Sequence, residues 1–337
     1  MARLQQLLLN TLLVTSVLAL IITLASLLTA QVWWLKLLDF PRFQLLLVHV
    51  AALVGLGLLL WLGRRQRQGA RRAVLSLSLL GAAVQSYFLV PYLPLAPRPV
   101  PDATAAQVAE TTARLRLLEA NVLQKNNRAD LLLAVIDEQR PDVVLALETD
   151  QRWVNALRPL RRTYPYFIEL PRPNTYGMAL YSRLPLLNHR VHNFQEQNVP
   201  TIITDVRMPN GQLVRLYAVH PTPPVPSSHP TSLSTPDLAL LQVGQQIERN
   251  PGPALVLGDF NDVSWSHTTR MFEASGELKN VRLGRGLFST FNAHIWMTRW
   301  PLDHLFVTKQ FRVAKLERLP GIGSDHFPLL AEVVLAE

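Results

Sequence analysis

The chain of 337 residues contains no cysteine, and only 17% of its residues are charged. Without cysteine the protein has no disulfide framework, no thiolate zinc site, no iron–sulfur cluster and no cysteine nucleophile. A bound metal must therefore use carboxylate, amide or imidazole ligands. Intrinsic disorder is also excluded, because 49% of the residues are hydrophobic and charge is scarce. The length is sufficient for one or two folded domains.

Acidic residues are nearly missing from the first hundred positions, where Asp39 stands alone against nine lysines and arginines. Residues 101–337 carry 24 basic and 23 acidic side chains and are almost neutral. The formal charge of +9 therefore belongs to the N-terminal segment. It does not indicate a nucleic-acid-binding face on the rest of the chain.

Three long stretches lack any charged side chain, at 4–35, 43–63 and 73–97. Each exceeds the roughly 20 residues that cross a hydrocarbon core. We predict a membrane domain over 1–94, with transmembrane helices at about 7–29, 43–63 and 73–94. The alternative is a cleaved signal peptide followed by a buried helical hairpin. It is disfavoured because the first apolar run is much longer than the core of a signal peptide.

The loop between the second and third predicted spans carries five arginines and no acid over 64–72. Short loops rich in arginine stay on the cytoplasmic side of a membrane. Alternation then puts the N-terminus inside and everything after the third span outside. We therefore expect an integral protein of a bacterial inner (plasma) membrane, with its C-terminal domain on the periplasmic side and the lipid bilayer as a partner.

The remainder of the chain separates into a linker and a folded domain. Residues 95–112 are rich in proline, alanine and threonine, which predicts an extended tether before a domain over 113–337. In that domain, apolar strands alternate with amphipathic helices, and Pro209-Asn210-Gly211 indicates a β-hairpin. Residues 220–236 are proline-rich and predict a loop. Hairpins mixed with helical crossovers predict a layered α/β sandwich.

Polar side chains stand at the ends of the predicted strands, where the active sites of sheet proteins gather. They are Asn121, Glu148, His220, Asp259 with Asn261, Asp303 with His304, and Asp325 with His326. Carboxylate and amide oxygens suit Mg²⁺ or Mn²⁺, and aspartate–histidine pairs suit proton transfer or stabilisation of charge. Each residue taken singly has a structural alternative, such as a solvated carboxylate, a turn or a hydrogen-bonded histidine. Their joint occurrence favours a functional site.

The ordered set resembles the endonuclease/exonuclease/phosphatase superfamily of DNase-I-like proteins, in a membrane-anchored bacterial form. The motifs that carry the resemblance are Gly258-Asp259-Phe260-Asn261 and Ser324-Asp325-His326, supported by the runs at 141–148 and 177–182. The resemblance covers roughly 113–335. It implies a four-layer α/β sandwich, in which two β-sheets pack face to face with helices outside, preceded in this chain by three transmembrane helices.

The resemblance also implies a metal site. Glu148 looks like the principal ligand of a divalent ion, Mg²⁺ or Mn²⁺, with Asn121 and Asp325 completing or supporting the site. Many nucleases of the superfamily have an acidic residue or asparagine two places after the first asparagine. This chain has Leu123 there, which implies a thinner shell of ligands.

Further residues match the catalytic positions of the superfamily. Asp259 resembles the residue that orients or deprotonates the attacking water, and Asn261 the residue that holds a phosphate oxygen. His326, oriented by Asp303, would stabilise charge on the phosphoryl group or act as the base. His220 would contact the phosphate or the leaving group. The resemblance leaves open whether Asp259 or His326 is the base.

Together these features predict a membrane-anchored, divalent-metal-dependent phosphoesterase that uses in-line attack of an activated water. The alternative is a protein that is not an enzyme: a catalytically silent relative that acts as a membrane-tethered binding or scaffold module. Extracellular nucleic acid, a phospholipid headgroup and a small phosphoester all stay open as substrates, so the activity could be that of a nuclease, a phosphatase or a phospholipase. No protein partner is predicted.

Overall fold

The computed structural model describes residues 2–29, 32–62, 67–194, 198–224 and 236–336. The chain forms two compact units, Met1–Pro91 and Tyr92–Glu337. Two sequence predictions fall partly outside the described residues: the arginine-rich loop at Arg64 and Arg65, and the proline-rich loop over 225–235.

The first unit is helical. Its helices are α1 (Ala2–Ala25), the short α2 (Trp33–Lys36), α3 (Arg42–Trp61) and α4 (Gln68–Leu89). Among the described residues, three segments are long and apolar enough to cross a membrane, namely Arg3–Ala25, Arg42–Trp61 and Gln68–Tyr92. The third helix begins before the predicted residue 73, because helical hydrogen bonding continues through Arg71 and Arg72 and does not stop at the limit of the apolar run.

Buried polar side chains link the three long helices. Nε2 of His49 lies 3.3 Å from Oγ1 of Thr23. Gln85 donates from Nε2 to the same hydroxyl oxygen at 2.9 Å. Arg42 in turn donates to Oε1 of Gln85 at 3.4 Å and pairs with Asp39. Because polar groups away from water need partners, this chain of contacts restricts how the helices pack.

The described residues of the second unit form two six-stranded sheets. The first has the order β11 (Phe311–Arg318), β12 (Leu329–Leu335), β1 (Arg114–Asn121), β2 (Val143–Leu147), β4 (Met178–Ser182), β3 (Tyr166–Leu170). The second has the order β5 (Leu186–His192), β6 (Thr201–Arg207), β7 (Leu213–Ala218), β8 (Ala254–Asp259), β10 (Asp303–Val307), β9 (Lys279–Asn280). The pairs β1–β2 and β7–β8 are parallel and the other pairs antiparallel, so both sheets are mixed.

The sheets pack face to face because their strands are apolar on both sides. Leu115 and Leu117 of β1 join a core shared with the second sheet, whereas Leu118 and Ala120 face the other way. That outer face is covered by α6 (Ala129–Gln139) and α7 (Gln151–Leu157). The outer face of the second sheet is covered by α8 (Pro236–Arg249) and α9 (His267–Ala274). The predicted four-layer α/β sandwich, preceded by three apolar helices, is confirmed.

The predicted hairpin joins two neighbouring strands of the second sheet. β6 and β7 pair antiparallel up to Arg207 and Leu213, on either side of Pro209-Asn210-Gly211. Gly211 has a φ of 87°, which a residue without Cβ adopts at no steric cost. The turn chemistry therefore sets the register of this hairpin.

The segment 95–112 differs from the predicted extended tether, because much of it belongs to the folded second unit. Val100 is buried in the core between the sheets. Asp102 bridges to Val313 of β11 and forms ion pairs with Arg98 and Arg285. A short helix, α5 (Ala105–Ala109), follows. Burial of Val100 and the bridge at Asp102 hold this stretch against β11, at the edge of the first sheet.

Candidate active site

The ends of five strands bring the polar side chains together at one edge of the sandwich. Asn121 ends β1, and Asp259 ends β8 of the facing sheet. Nδ2 of Asn121 donates to Oδ2 of Asp259 at 3.0 Å, which joins the two sheets. β10 runs antiparallel to β8, so its first residue, Asp303, pairs with Asp259. The predicted convergence at strand ends therefore occurs in the structure.

Gly258 allows the ends of β7 and β8 to come close. A Cβ atom at this position would lie 1.9 Å from the carbonyl oxygen of Val219, and the φ of Gly258 is 150°. Only glycine fits such an approach. The glycine of the Gly258-Asp259 motif thus brings His220, which follows Val219, beside the Asp259 carboxylate.

The Asp259 carboxylate lies close to two histidines. Nε2 of His326 is 3.6 Å from Oδ2 of Asp259, and Nε2 of His220 is 3.8 Å from the same oxygen. Nδ1 of His326 lies 2.8 Å from Oδ2 of Asp303. All four side chains are buried. The site therefore presents two carboxylates and two imidazoles with little access to water.

The pKa values of the two histidines are shifted in opposite directions. Burial disfavours the His326 cation, but the Asp303 and Asp259 carboxylates outweigh burial and raise the pKa of His326 to about 10. Burial is the dominant effect on His220 and lowers its pKa. His326 is therefore a cation near neutral pH, whereas the neutral form of His220 is favoured.

The pKa values of the two aspartates are also shifted in opposite directions. Burial raises the pKa of Asp259 above its ordinary value, although His326 opposes this effect. Burial also acts on Asp303, but the hydrogen-bonded His326 cation overrides it and holds the pKa of Asp303 low. Pairs of groups whose pKa values are driven apart are typical of acid–base catalysis.

The residues expected to hold a metal lie beside this cluster. Glu148 follows β2 with a φ of 61° and is half-buried. Its Oε1 accepts from Nδ2 of Asn121 at 3.0 Å, and its Oε2 accepts from the backbone N–H of Gln124 at 3.1 Å. Asp325 is also half-buried. These hard carboxylate oxygens fit a divalent ion such as Mg²⁺ or Mn²⁺.

Asn121 and Asn261 both act through their amides. Asn121 donates to Glu148 and Asp259 while its Oδ1 accepts from the backbone of Leu123, so it holds two carboxylates in place. Asn261 has a φ of 52°. Its backbone N–H donates to Oδ1 of Asp259 at 2.8 Å, and its Nδ2 donates to the carbonyl of Pro221 at 2.9 Å. In this amide orientation the nitrogen of Asn121, and not its oxygen, faces the carboxylates.

The C-terminal motif is fixed to β1 by Ser324. The Ser324 hydroxyl donates to the carbonyl of Asn121 at 2.8 Å and accepts from the backbone N–H of His326 at 3.0 Å. This arrangement carries Asp325 and His326 to the end of β1. The eight residues predicted as site residues consequently lie at the same edge of the sandwich.

A second arrangement of possible metal ligands overlaps the first. One ligand atom from each of Asp259, Asp303 and His326 lies within 4.8 Å of the other two. His326 already uses Nδ1 in its contact with Asp303. This buried group suits proton transfer as well as metal binding, so the donor chemistry alone gives two arrangements for a cation.

Sequence reasoning missed two buried charged residues below the site. Glu119 of β1 is fully buried, and burial together with Asp303 and Asp259 raises the pKa of its carboxyl group well above the ordinary value. Arg282 is also buried and donates to the carbonyl of Asp303 at 2.7 Å. Glu119 had a visible signal: it is an acidic residue within the otherwise apolar run 117–120, two positions before Asn121 and therefore on the same face.

Comparisons with known proteins agree with this architecture. Residues 112–326 match the Endonuclease/Exonuclease/phosphatase family. A stretch of 89 residues is 38% identical to the UPF0294 protein VV2535 of Vibrio vulnificus, and covers 26% of this chain and 30% of that relative. The matched stretch thus spans under a third of the relative's length.

Solved structures share the fold at low sequence identity. D. rerio TDP2 complexed with a single-strand DNA product matches with a TM-score of 0.54 and 16% identity, over 66% of this chain and 99% of that chain. The human Nocturnin catalytic domain gives 0.54 and 17%, over 66% and 95%. An endonuclease/exonuclease/phosphatase from Bacteroides vulgatus gives 0.53 and 18%, over 66% and 99%. With the family match extending over most of the second unit, this chain belongs to the Endonuclease/Exonuclease/phosphatase family.

Proposed function

We propose that the protein is a membrane-anchored, divalent-metal-dependent phosphoesterase. The observation that carries the proposal is the position of the Asp259 carboxylate, which is hydrogen-bonded to Asn121 and lies within 3.8 Å of both His220 and His326. Members of the family are hydrolases of phosphoester bonds, and this cluster supplies the groups that such a reaction needs.

In this proposal Asp259 orients the attacking water and accepts its proton. Its raised pKa brings the carboxylate closer to the range in which a general base both ionises and accepts a proton effectively. His326 is a poor candidate for the base, because a pKa of about 10 keeps it protonated near neutral pH. The structure thus favours Asp259 for the role that the sequence left open between these two residues.

His326 then serves as a fixed cation facing the phosphoryl group. Asp303 holds the imidazole ring through Nδ1, which leaves Nε2 directed toward Asp259 and the reacting centre. A preorganised positive charge in a site with little water stabilises the charge that develops in the transition state. Neutral His220 and the amide of Asn261 would contact the phosphate or the leaving group.

The metal would be held by Glu148 and Asp325, with Asn121 supporting Glu148. When bound, Mg²⁺ or Mn²⁺ neutralises charge on the phosphoryl oxygens. The carboxylates of Glu148 and Asp325 are half-buried, and therefore within reach of both an ion and solvent. A silent binding module would have no chemical need for this set of buried ionisable groups, which are costly to keep away from water.

We also propose that the second unit lies outside the cytoplasm. The arginine-rich loop between the second and third candidate spans supports a cytoplasmic position for that loop. A reporter that is active only in the cytoplasm should be silent when fused after Glu337. Activity of that fusion would contradict the proposed orientation.

The function is tested by hydrolysis assays of the full chain in detergent with Mg²⁺, Mn²⁺ or EDTA. The panel contains bis-p-nitrophenyl phosphate, p-nitrophenyl phosphate, single- and double-stranded DNA and phospholipid vesicles. Turnover should require the metal and should be lost in Glu148→Ala, while Asp130→Ala, which changes an exposed carboxylate, keeps wild-type rates. Metal-independent turnover, or equal rates in both variants, would contradict the proposal.

A further inference from the structure

A loop beside the candidate active site carries an apolar tip. This loop, residues 292–299, is fixed at its base: the backbone N–H of Ala293 donates to the carbonyl of Asp325 at 2.7 Å. Phe291 pairs with Trp300 on one side and with His326 on the other. The ring centroids of Phe291 and His326 are 5.0 Å apart. The 292–299 loop is therefore anchored directly to the segment before β12 that carries Asp325 and His326.

Three consecutive large apolar side chains at the tip of this loop are exposed to solvent. Ile295 is 54%, Trp296 72% and Met297 59% exposed. Within the described residues of the second unit, no other run of three consecutive large apolar side chains is exposed. Contiguous exposed apolar surface marks interaction sites. Tryptophan in particular is enriched where a protein meets the interface of a bilayer.

Two arginines, Arg299 at the end of this loop and Arg318 of β11, contact one aromatic ring. The guanidinium groups of Arg299 and Arg318 lie 5.0 and 4.6 Å from the ring centroid of Phe327, the residue after His326. Their hydrogen bonds go to backbone carbonyls, including that of Ala293 for Arg299 and that of Ser289 for Arg318. Among the described residues neither arginine forms an ion pair with a carboxylate, so both positive charges stay available to an anion.

An apolar tip with tryptophan, flanked by cations, has the composition of a segment that lies in a membrane interface. Cations next to such a tip attract the phosphate layer of a bilayer. The chain itself carries three candidate membrane spans, which keep a bilayer at high effective concentration around the second unit. A surface that meets phospholipid is therefore more consistent with the chain than one that meets a soluble protein.

We infer that the 292–299 loop docks on a phospholipid bilayer, and that the substrate of the adjoining site is a phosphodiester of a phospholipid headgroup. The assignment of the substrate rests on the proposed phosphoesterase function, whereas the docking does not. With Ile295, Trp296 and Met297 in the interface, the segment that carries His326 would lie near the layer of headgroup phosphates. Arg299 and Arg318 contribute attraction for those phosphates.

Docking is tested without any assay of activity. The chain has no native cysteine, so Ile295→Cys in the full chain gives a single site for a nitroxide spin label. Leu213→Cys is the matched control, because Leu213 is 43% exposed and begins β7 at the end of the strand away from His220. Both proteins are reconstituted in phospholipid nanodiscs, and collisions of the label with oxygen and with a water-soluble nickel chelate are measured.

We expect the label at 295 to collide more with oxygen than with the nickel chelate. The label at 213 should collide more with the nickel chelate than with oxygen. Equal access of the nickel chelate to both positions would overturn the docking. Shielding of position 295 from both reagents would indicate a protein contact, such as a second copy of the chain, and would also overturn it.

The substrate class is tested with a triple variant, Ile295→Ser, Trp296→Ser and Met297→Ser, against a control that changes Val191, Leu213 and Met271 to serine. Hydrolysis of nanodisc phospholipid should fall about tenfold or more in the loop variant only, since binding scales with the apolar area that enters the interface. Turnover of soluble bis-p-nitrophenyl phosphate should stay within about twofold of wild type in both variants.

The possible failures are distinguishable. If the wild-type chain hydrolyses bis-p-nitrophenyl phosphate but releases no headgroup or phosphate from any phospholipid, the substrate class is wrong and the phosphoesterase function stands. If the wild-type chain hydrolyses neither, the proposed function fails, and the spin-label measurement still decides the docking. Equal loss of phospholipid hydrolysis in the loop and control variants would overturn the role of the loop.

Discussion

Nδ1 of His326 lies 2.8 Å from Oδ2 of Asp303, and both side chains are buried where the two sheets meet. Each partner stabilises the charged form of the other: the pKa of His326 is raised to about 10 and that of Asp303 is lowered, despite burial that acts against both charges. The contact therefore fixes both the orientation of the imidazole ring and its positive charge.

Replacing Asp303 by asparagine should remove this effect. We expect the pKa of His326 to fall by more than about one unit in Asp303→Asn, because burial then acts without the compensating carboxylate at Nδ1. The rate constant kcat should fall by about 10²-fold or more, with a smaller change in KM. The measurement is the pH dependence of kcat, together with titration of the histidine ring by NMR. An unchanged pKa would contradict the assigned pair.

The same pair predicts how stability depends on pH. The pKa of His326 rises on folding from 6.5 to about 10, so its contribution is complete below pH 6.5 and is lost as the pH rises through about 10. The pKa of Asp303 falls below 3.8 on folding, so its contribution is present above pH 3.8 and is lost as the pH falls through the depressed value.

Denaturant unfolding of wild type and Asp303→Asn over a range of pH checks this expectation. The difference in unfolding free energy should be largest between pH 3.8 and pH 6.5, where both contributions are complete. It should amount there to about 3 kcal/mol, as for other broken buried pairs. It should shrink toward both extremes of pH. A difference that is constant with pH would show that the pair is not ionised in the folded protein.

His304 should position the loop that follows Asp259. Nη1 of Arg282 lies 2.9 Å from Nδ1 of His304, and Nε2 of His304 lies 2.9 Å from the carbonyl oxygen of Asp262. Arginine only donates, so Nδ1 accepts and the Nε2–H donates to Asp262. Burial and the Arg282 cation lower the pKa of His304 to about 3, which keeps this neutral tautomer in place.

His304→Phe preserves the aromatic packing against Phe260, whose ring centroid is 4.9 Å away, but loses the hydrogen bond to Asp262. We expect an unfolding free energy lower by about 1–3 kcal/mol, because a buried carbonyl loses its partner. We also expect kcat to fall about tenfold with little change in KM, since Asp259 is no longer held in place. His189→Phe on exposed β5 is the control and should be neutral. Equal unfolding free energies and equal kcat values in the two variants would contradict a positioning role for His304.

Gly258→Ala tests the close approach of β7 and β8. The added methyl group would overlap the carbonyl of Val219, and the φ of 150° is unfavourable for alanine. We expect a loss of more than about 2 kcal/mol in unfolding free energy and loss of activity, because His220 and Asp259 must separate. Gly321→Ala is the matched control, since its Cβ would make only an ordinary contact of 3.5 Å with Phe327. Similar stability of the two variants would contradict this reading of the motif.

Most of the architecture could be predicted because apolar periodicity and turn chemistry were unambiguous. The strand before Glu148 is wholly apolar, and Pro209-Asn210-Gly211 lies between two alternating runs. Strand β5 could not be predicted, because residues 188–190 are polar and exposed at the edge of the sheet. Its position depends on pairing with β6, which is a tertiary contact.

The sequence allowed the residues of the candidate site to be predicted, but not the contacts between them. Polar residues after apolar strands indicated Asn121, Glu148 and Asp259. Sequence could not show that Asn121 donates to both carboxylates, because the two belong to different sheets. Nor could it show that His326 is the charged histidine, since that depends on burial and on two carboxylates far away in the chain.

The central claim is that Asp259 and its surroundings hydrolyse a phosphoester. It is tested most directly by kcat/KM for bis-p-nitrophenyl phosphate with Mg²⁺ near neutral pH, measured for the full wild-type chain and for Asp259→Asn. The amide keeps the shape of the side chain but cannot accept a proton from water. We expect a loss of about 10³-fold. A variant within about twofold of wild type would contradict the assignment of this site.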